Sequence, residues 1–257
     1  MNSKSLNPKV LLLTYAFPPL QASESFLSVK AFAKIKSFDI DVLTINSKKI
    51  GYAMDYSLDN YVKTNFSKIY RSNPPNWINK MVFRILRYVP GFPDRFRFFN
   101  RQLFKKALEI DITGYDLIVT WSTWHSIHMV GAKIKNKFPS IKWLAHFSDP
   151  WADNPFITRF FASSPYNLSQ YFLEKSVINN ADAINFTTHR SRMLVMKKYP
   201  PFWINKTYVT PHSYDKSLYQ TKKEKVVNDK FIVNYLGNFY GPRNPINFVK
   251  ALRNISN

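Results

Sequence analysis

Lys142-Trp-Leu-Ala-His-Phe-Ser-Asp-Pro-Trp-Ala-Asp-Asn154 decides the fold. A short apolar run, with Leu144 and Ala145 as its buried positions, ends abruptly in His146, Ser148, Asp149, Trp151, Asp153 and Asn154. A parallel strand would leave this polar cluster just past its carboxyl end, where open α/β sheets bind their ligands. The spacing therefore predicts a strand over 142–147 and a candidate site in the residues after it.

Working outward, the same grammar recurs. Val10 to Tyr15 and Asp116 to Trp121 are continuous apolar runs, as expected of strands covered on both faces. Glu24 to Lys36 has helical periodicity with Ser23 as its N-cap, and Ile40 to Ile45 is a second strand. Residues 51–71 carry a weak pattern and are read as irregular. Helices are expected over Trp77–Tyr88, about Asp94–Leu108, from after a polar loop at Ser122–Ser126 through about Lys137, and over Ser169–Asn180 and Ser191–Lys198, with strands over Ala183–Thr187 and Lys206–Thr210. Alternation of this kind predicts an α/β fold with a doubly wound parallel sheet.

Residues 1–213 are expected to form this first domain, with a basic helical insertion at about 71–110. Residues 214–230, crowded with charge, read as an interdomain linker. Residues 231–257 add one β-loop-α unit: a strand over Phe231–Leu236, a loop, and a helix over Pro245–Ile255. One such unit cannot bury its own apolar face, so the sequence reads as a piece of a longer protein.

The chain has 257 residues, no cysteine and a formal net charge of +21. Absence of cysteine excludes disulfides, thiolate zinc sites and a cysteine nucleophile and fits a cytoplasmic protein. The charge favours an anionic partner without choosing among nucleic acid, membrane and phosphorylated small molecules. From Arg71 to Lys106 there are nine Lys/Arg and one acidic residue, interleaved with Trp77, Phe83, Phe96, Phe98 and Phe99. That block reads as a surface for an anionic membrane interface; the alternative is a solvated basic face whose aromatics pack inward. No run of apolar residues is long enough to span a bilayer, and no phosphate-loop or dinucleotide glycine motif occurs. The His125/His128 pair would need further ligands nearby to hold a metal.

Four stretches, in order, resemble the first half of a GT-B glycosyltransferase of the GT4-like kind. They are Lys9-Val-Leu-Leu-Leu-Thr-Tyr-Ala-Phe-Pro-Pro19, Tyr115-Asp-Leu-Ile-Val-Thr-Trp-Ser122, Trp143-Leu-Ala-His-Phe-Ser-Asp-Pro-Trp151, and Phe231-Ile-Val-Asn-Tyr-Leu-Gly237 with Pro242-Arg243. Glu174 through Ala181-Asp182-Ala183 looks like the family's helix leading into its next strand. The resemblance implies two Rossmann-like domains and transfer of a sugar from a nucleotide sugar without a metal or other cofactor. It implies a glycan or lipid-linked acceptor in bacterial surface-polysaccharide assembly, at the inner face of the cell membrane, with no nucleic-acid partner. His146 and Asp149 would orient the acceptor hydroxyl; Pro19, Leu20, His125, Trp151, Asn154 and His189 would line the acceptor site; Gly237 and Arg243 would meet the donor phosphates. Retention of anomeric configuration is implied as well. The sequence departs from the family at Leu20-Gln-Ala-Ser-Glu24, which lacks the usual glycines, at His146 and Ser148, which replace an acidic and a basic residue, and at Asn238. A truncated chain would be an incompetent transferase. Two other readings stand beside this one: a basic nucleic-acid-binding protein and a non-catalytic acceptor-binding remnant.

Overall fold

The computed structural model describes residues 7–86, 93–154, 165–219, 232–237, 239 and 244–255. They fall into two compact units, Met1–Asp215 and Lys216–Asn257.

The first unit is built on seven strands: β1 (Lys9–Leu13), β2 (Asp39–Ile45), β3 (Lys68–Ser72), β4 (Leu117–Trp121), β5 (Lys142–Phe147), β6 (Ala183–Phe186) and β7 (Thr207–Val209). They form one parallel sheet in the order β3-β2-β1-β4-β5-β6-β7. The helices are α1 (Ser23–Ala33), α2 (Asp59–Asn65), α3 (Lys80–Ile85), α4 (Asn100–Glu109), α5 (Ser126–Lys137), α6 (Pro165–Asn180) and α7 (His189–Met196). Strand residues alternate between two cores. One holds Leu11, Leu13, Ile118, Trp143, Ala145, Phe147, Phe96 and Phe99; the other holds Val10, Leu12, Val29, Phe32, Val42, Val119 and Trp121. The continuous apolar runs of β1, β4 and β5 follow from this double burial. The fold is thus an α/β, Rossmann-like, doubly wound parallel sheet.

Register is fixed at the amino-terminal edge by two aspartates. Asp116, just before β4, accepts from the Lys9 amide at 2.8 Å and donates its own amide to the Lys9 carbonyl at 3.0 Å. Asp182, just before β6, makes the same pair of bonds with Trp143, at 2.8 and 3.0 Å. Each carboxylate satisfies an amide at the start of the neighbouring strand.

Several expectations need correction. Residues 51–71 are not irregular throughout: they hold α2 and β3. Strand β3 is a sheet edge of sequence Lys68-Ile-Tyr-Arg-Ser72, buried fully only at Ser72, so it lacks the apolar run of a central strand. The helical insertion is the crossover that carries the chain from β3 to β4. Its second part is a 3-10 turn, Arg95–Phe99, running into α4, because the Asp94 side chain caps the turn at the Phe96 amide, 2.9 Å. Residue Ala22, not Ser23, occupies the N-cap of α1, and no side chain caps it. In the second unit, residues 232–236 form no strand. A single β-segment without a neighbour has no ladder to join. The helix is present there as α8 (Ile246–Ile255), and its described apolar residues Ile246, Phe248, Val249 and Leu252 are exposed. Most of the expected linker lies outside the described residues.

Candidate active site

Strand order reverses between β1 and β4, and the loops leaving the carboxyl ends of these strands splay apart there. The loops after β5 and β6 rise from the same edge. The sequence-derived candidates on the first unit all sit on these loops or at the strand ends they leave.

The loop after β1 is stapled down. The Gln21 amide donates to the Ala53 carbonyl at 2.9 Å, the Asp55 amide to Pro19 at 2.8 Å, and the Arg71 guanidinium to Pro18 at 2.6 Å. The Leu20 amide is bound to the Phe17 carbonyl, and the Leu20 side chain is buried. Leu20 was expected to line the acceptor site, but it is a packing residue, and the amides of Leu20, Gln21 and Ala22 are already spent within the fold. A phosphate would find no free amides at these positions. Pro19 is half-buried and joined to Pro18 by a cis peptide.

The loop after β5 is held by α6. The Trp151 indole donates to Gln170 at 2.7 Å, and the Ala152 amide to Glu174 at 2.9 Å. Glu174, fully buried on α6, also accepts from Lys198 and Tyr199, each at 2.6 Å. Lys198 pairs in addition with Asp153. The β4 and β5 loops are joined where Ser122 donates to the His146 carbonyl at 3.1 Å and Ser148 donates to the Ser122 carbonyl. Thr187 donates to the Ser148 carbonyl at 3.0 Å and ties in the loop after β6. Trp151 was read as a surface for stacking a sugar; with no exposure at all, it instead anchors the loop. Gln170 was not singled out from the sequence, and Glu174 entered only as the start of the helix that resembles the family's. Their only signal is two polar residues four apart on an otherwise mixed helix.

The histidines divide by burial. His146 lies flat on Trp121, with ring centroids 3.5 Å apart, and its Nδ1 is 2.8 Å from Asn185 Nδ2. Asn185 donates in this contact, so the proton of a neutral ring sits on Nε2. Burial holds its pKa down to about 3, with His212 adding to the effect. His146 is thereby neutral and almost fully buried, and its expected direct role on the acceptor hydroxyl does not fit this placement. His125 stacks on Trp151 at 5.0 Å and 5°, and burial lowers its pKa to about 3 as well. It too is a core group. His128 Nδ1 meets Thr120 Oγ1 at 2.8 Å, the same hydroxyl that accepts from the Trp143 indole. His189 is exposed at the first position of α7, beside Thr188, whose hydroxyl caps the Ser191 amide at 3.0 Å.

Asp149 is exposed at the rim, and Asn154 is half-buried at the end of the loop. His212, which the sequence reading passed over, is close enough to Asp149 for the carboxylate to oppose the desolvation that lowers its pKa. An accessible carboxylate and imidazole thus share the carboxyl edge of the sheet. Of the donor-side candidates, Gly237 adopts φ 147° in the second unit, and Arg243 lies outside the described residues.

No protein-family model matches this sequence, and no curated protein does. Solved structures do. Arabidopsis thaliana UGT89C1, complexed with UDP-L-rhamnose, aligns with a TM-score of 0.50 at 13% identity over 82% of this chain and 54% of its own. Anabaena Alr3699/HepE in complex with UDP aligns with 0.46 at 12% over 84% and 47%. The lipopolysaccharide outer core galactosyltransferase WaaB aligns with 0.42 at 14% over 78% and 44%. The first of these carries the fold comparison, and the chain spans about half the length of the structures it matches. The fold is that of a GT-B half.

Proposed function

We propose that this chain is the acceptor-side half of a GT-B glycosyltransferase that moves a sugar from a nucleotide sugar to a glycan or lipid-linked acceptor in bacterial surface-polysaccharide assembly. The observation that carries the reading is the exposed Asp149, held on a loop braced by Trp151 and Glu174 beside the switch point of the sheet. Asp149 is the group that contacts the acceptor hydroxyl, with His212 and Asn154 flanking it. His146, His125 and Trp151 act as positioning residues beneath the loops. Catalysis then rests on orientation and charge stabilisation, without a metal or other cofactor. Gly237 and Arg243 are assigned to the donor diphosphate, and the anomeric configuration is retained. The GT4-like subfamily remains part of this proposal.

Membrane contact belongs to it as well, in narrower form. Phe83, Phe96 and Phe99 are buried at 2% exposure or less, and each such burial is worth roughly 1.5–3 kcal/mol, so the core retains them. Met81 and Ile85, one turn apart on α3 and more than half exposed, stand with Lys80 and Arg84 as the membrane-facing group. No helix among the described residues is long and apolar enough to cross a membrane. The protein is placed peripherally on the cytoplasmic face.

A thermal-shift screen of the full-length protein against UDP-, GDP- and TDP-sugars tests the reading. Stabilisation by one of them is expected; stabilisation by none overturns it. NMR of the product decides the linkage, and inversion would remove the assignment of retention.

A further inference from the structure

A hollow of about 530 Å³ opens on the first unit beyond the carboxyl end of β3, between residues 71–77 and α4. It lies at the outer edge of the sheet, two strands from β1. At about 4.8 Å per strand, the four strand steps from β3 to β5 set it on the order of 20 Å along the same edge from Asp149's loop. Its floor is preorganised. The Asn46 amide donates to Ser72 at 2.8 Å, the Asn46 side chain donates to Asn73 Oδ1 at 3.1 Å, and Pro74 and Pro75 are buried.

Chemistry in the hollow is of two kinds. Arg101 and Lys105, one turn apart on α4, are both exposed and enter no ion pair among the described residues. The other two cations are spent: Arg71 on the Pro18 carbonyl and Lys106 on Glu109 at 2.9 Å. Beside this free charge stands Trp77, 54% exposed, its ring braced edge-on against Phe98 at 5.5 Å. With Asn73 held through Oδ1, its NH₂ donors are left for a ligand, and Asn76 and Gln102 add further amides.

A membrane would use the cations and Trp77 but not the row of amides. A bare anion would use the cations alone. A fixed aromatic face with amide side chains and a free Arg/Lys pair fits a sugar ring bearing a carboxylate or phosphate. We infer that this hollow binds an acidic saccharide, as a distal subsite for an acceptor glycan lying along the carboxyl edge of the sheet. The inference rests on the acceptor-side reading above and assigns that acceptor a chemical class, acidic.

Titration calorimetry of the full chain with hexagalacturonate, against maltohexaose, inorganic phosphate and phosphatidylcholine–phosphatidylglycerol vesicles, tests it. Hexagalacturonate is expected to bind more tightly than maltohexaose and phosphate. Binding should fall about tenfold or more in Arg101→Gln/Lys105→Gln, and fall in Trp77→Ala, with thermal stability unchanged in both. The pair Met81→Asp/Ile85→Asp should bind hexagalacturonate normally. Absence of saturable hexagalacturonate binding overturns the inference, as does binding that Trp77→Ala leaves intact, which would mark a plain anion patch. Vesicle binding lost in Trp77→Ala while the saccharide never binds would assign the hollow to lipid headgroups. Nucleotide-sugar stabilisation of Trp77→Ala, measured in parallel, separates failure of this subsite from failure of the transferase reading.

Discussion

Glu174 has no solvent exposure and is one of the groups that hold the loop bearing Asp149. Replacing it with Ala leaves Tyr199 and the Ala152 amide without their acceptor and Lys198 with Asp153 alone. Breaking a buried ion pair in this way costs about 3–5 kcal/mol, and urea denaturation of Glu174→Ala should register a loss of that order. Asp149→Asn, at an exposed position, should leave stability within about 0.5 kcal/mol of the parent. In the transferase reading its turnover falls about 100-fold or more, measured as sugar transfer by the full-length protein. The buried histidines set the response to acid. His125 and His146 have folded pKa values of about 3 against 6.5 when free, and burial pushes His128 down too. The unfolded chain therefore binds more protons between these values, and stability is complete above about pH 6.5 and lost as pH falls towards 3. Each group contributes a slope of at most about 1.4 kcal/mol per pH unit. Denaturation midpoints from pH 7 to 4 should decline steeply, and His125→Phe should flatten the decline; an unchanged slope would remove the buried imidazole from this account.

At the level of the element, α5 shows how a packing demand overrides local propensity. Glycine inside a helix ordinarily costs about 1 kcal/mol relative to alanine. At Gly131, however, an added Cβ would meet Trp143 Cε2 at 2.6 Å and Thr120 Cγ2 at 2.7 Å. Helix α5 would have to lift from β4 and β5. We expect Gly131→Ala to destabilise by about 1–3 kcal/mol by chemical denaturation; a gain in stability would show that the helix can shift freely. The central strands and most helices were legible because burial on one or both sides leaves an apolar period in the sequence. Edge strand β3 was not, since only one of its neighbours is a strand and its side chains are half-exposed. The segment at 232–236 erred the other way: its apolar residues read as a strand, yet a strand exists only through a partner.

Across the whole molecule the +21 charge remains the widest-ranging property. If Met81 and Ile85 insert while the surrounding cations attract anionic lipid, flotation with phosphatidylglycerol vesicles should succeed at low salt and weaken as salt is raised. Met81→Asp/Ile85→Asp should abolish it. Strong, steeply salt-dependent binding to DNA or RNA by this same variant would favour the nucleic-acid reading instead.

The sequence alone determined the parallel α/β order, the strand carrying residues 142–147, and the edge at which to seek a site. It could do so because hydrophobic period and strand–helix alternation are properties of neighbouring residues. Which side chains within that edge are exposed was decided only by tertiary structure. His146, Ser148, Asp149 and Trp151 look alike as polar or aromatic neighbours. Packing puts His146 against Trp121, ties Trp151 to Gln170 and leaves Asp149 at the rim with His212. Burial depends on contacts made by residues 19 to 63 positions away in the chain, and no local pattern records them.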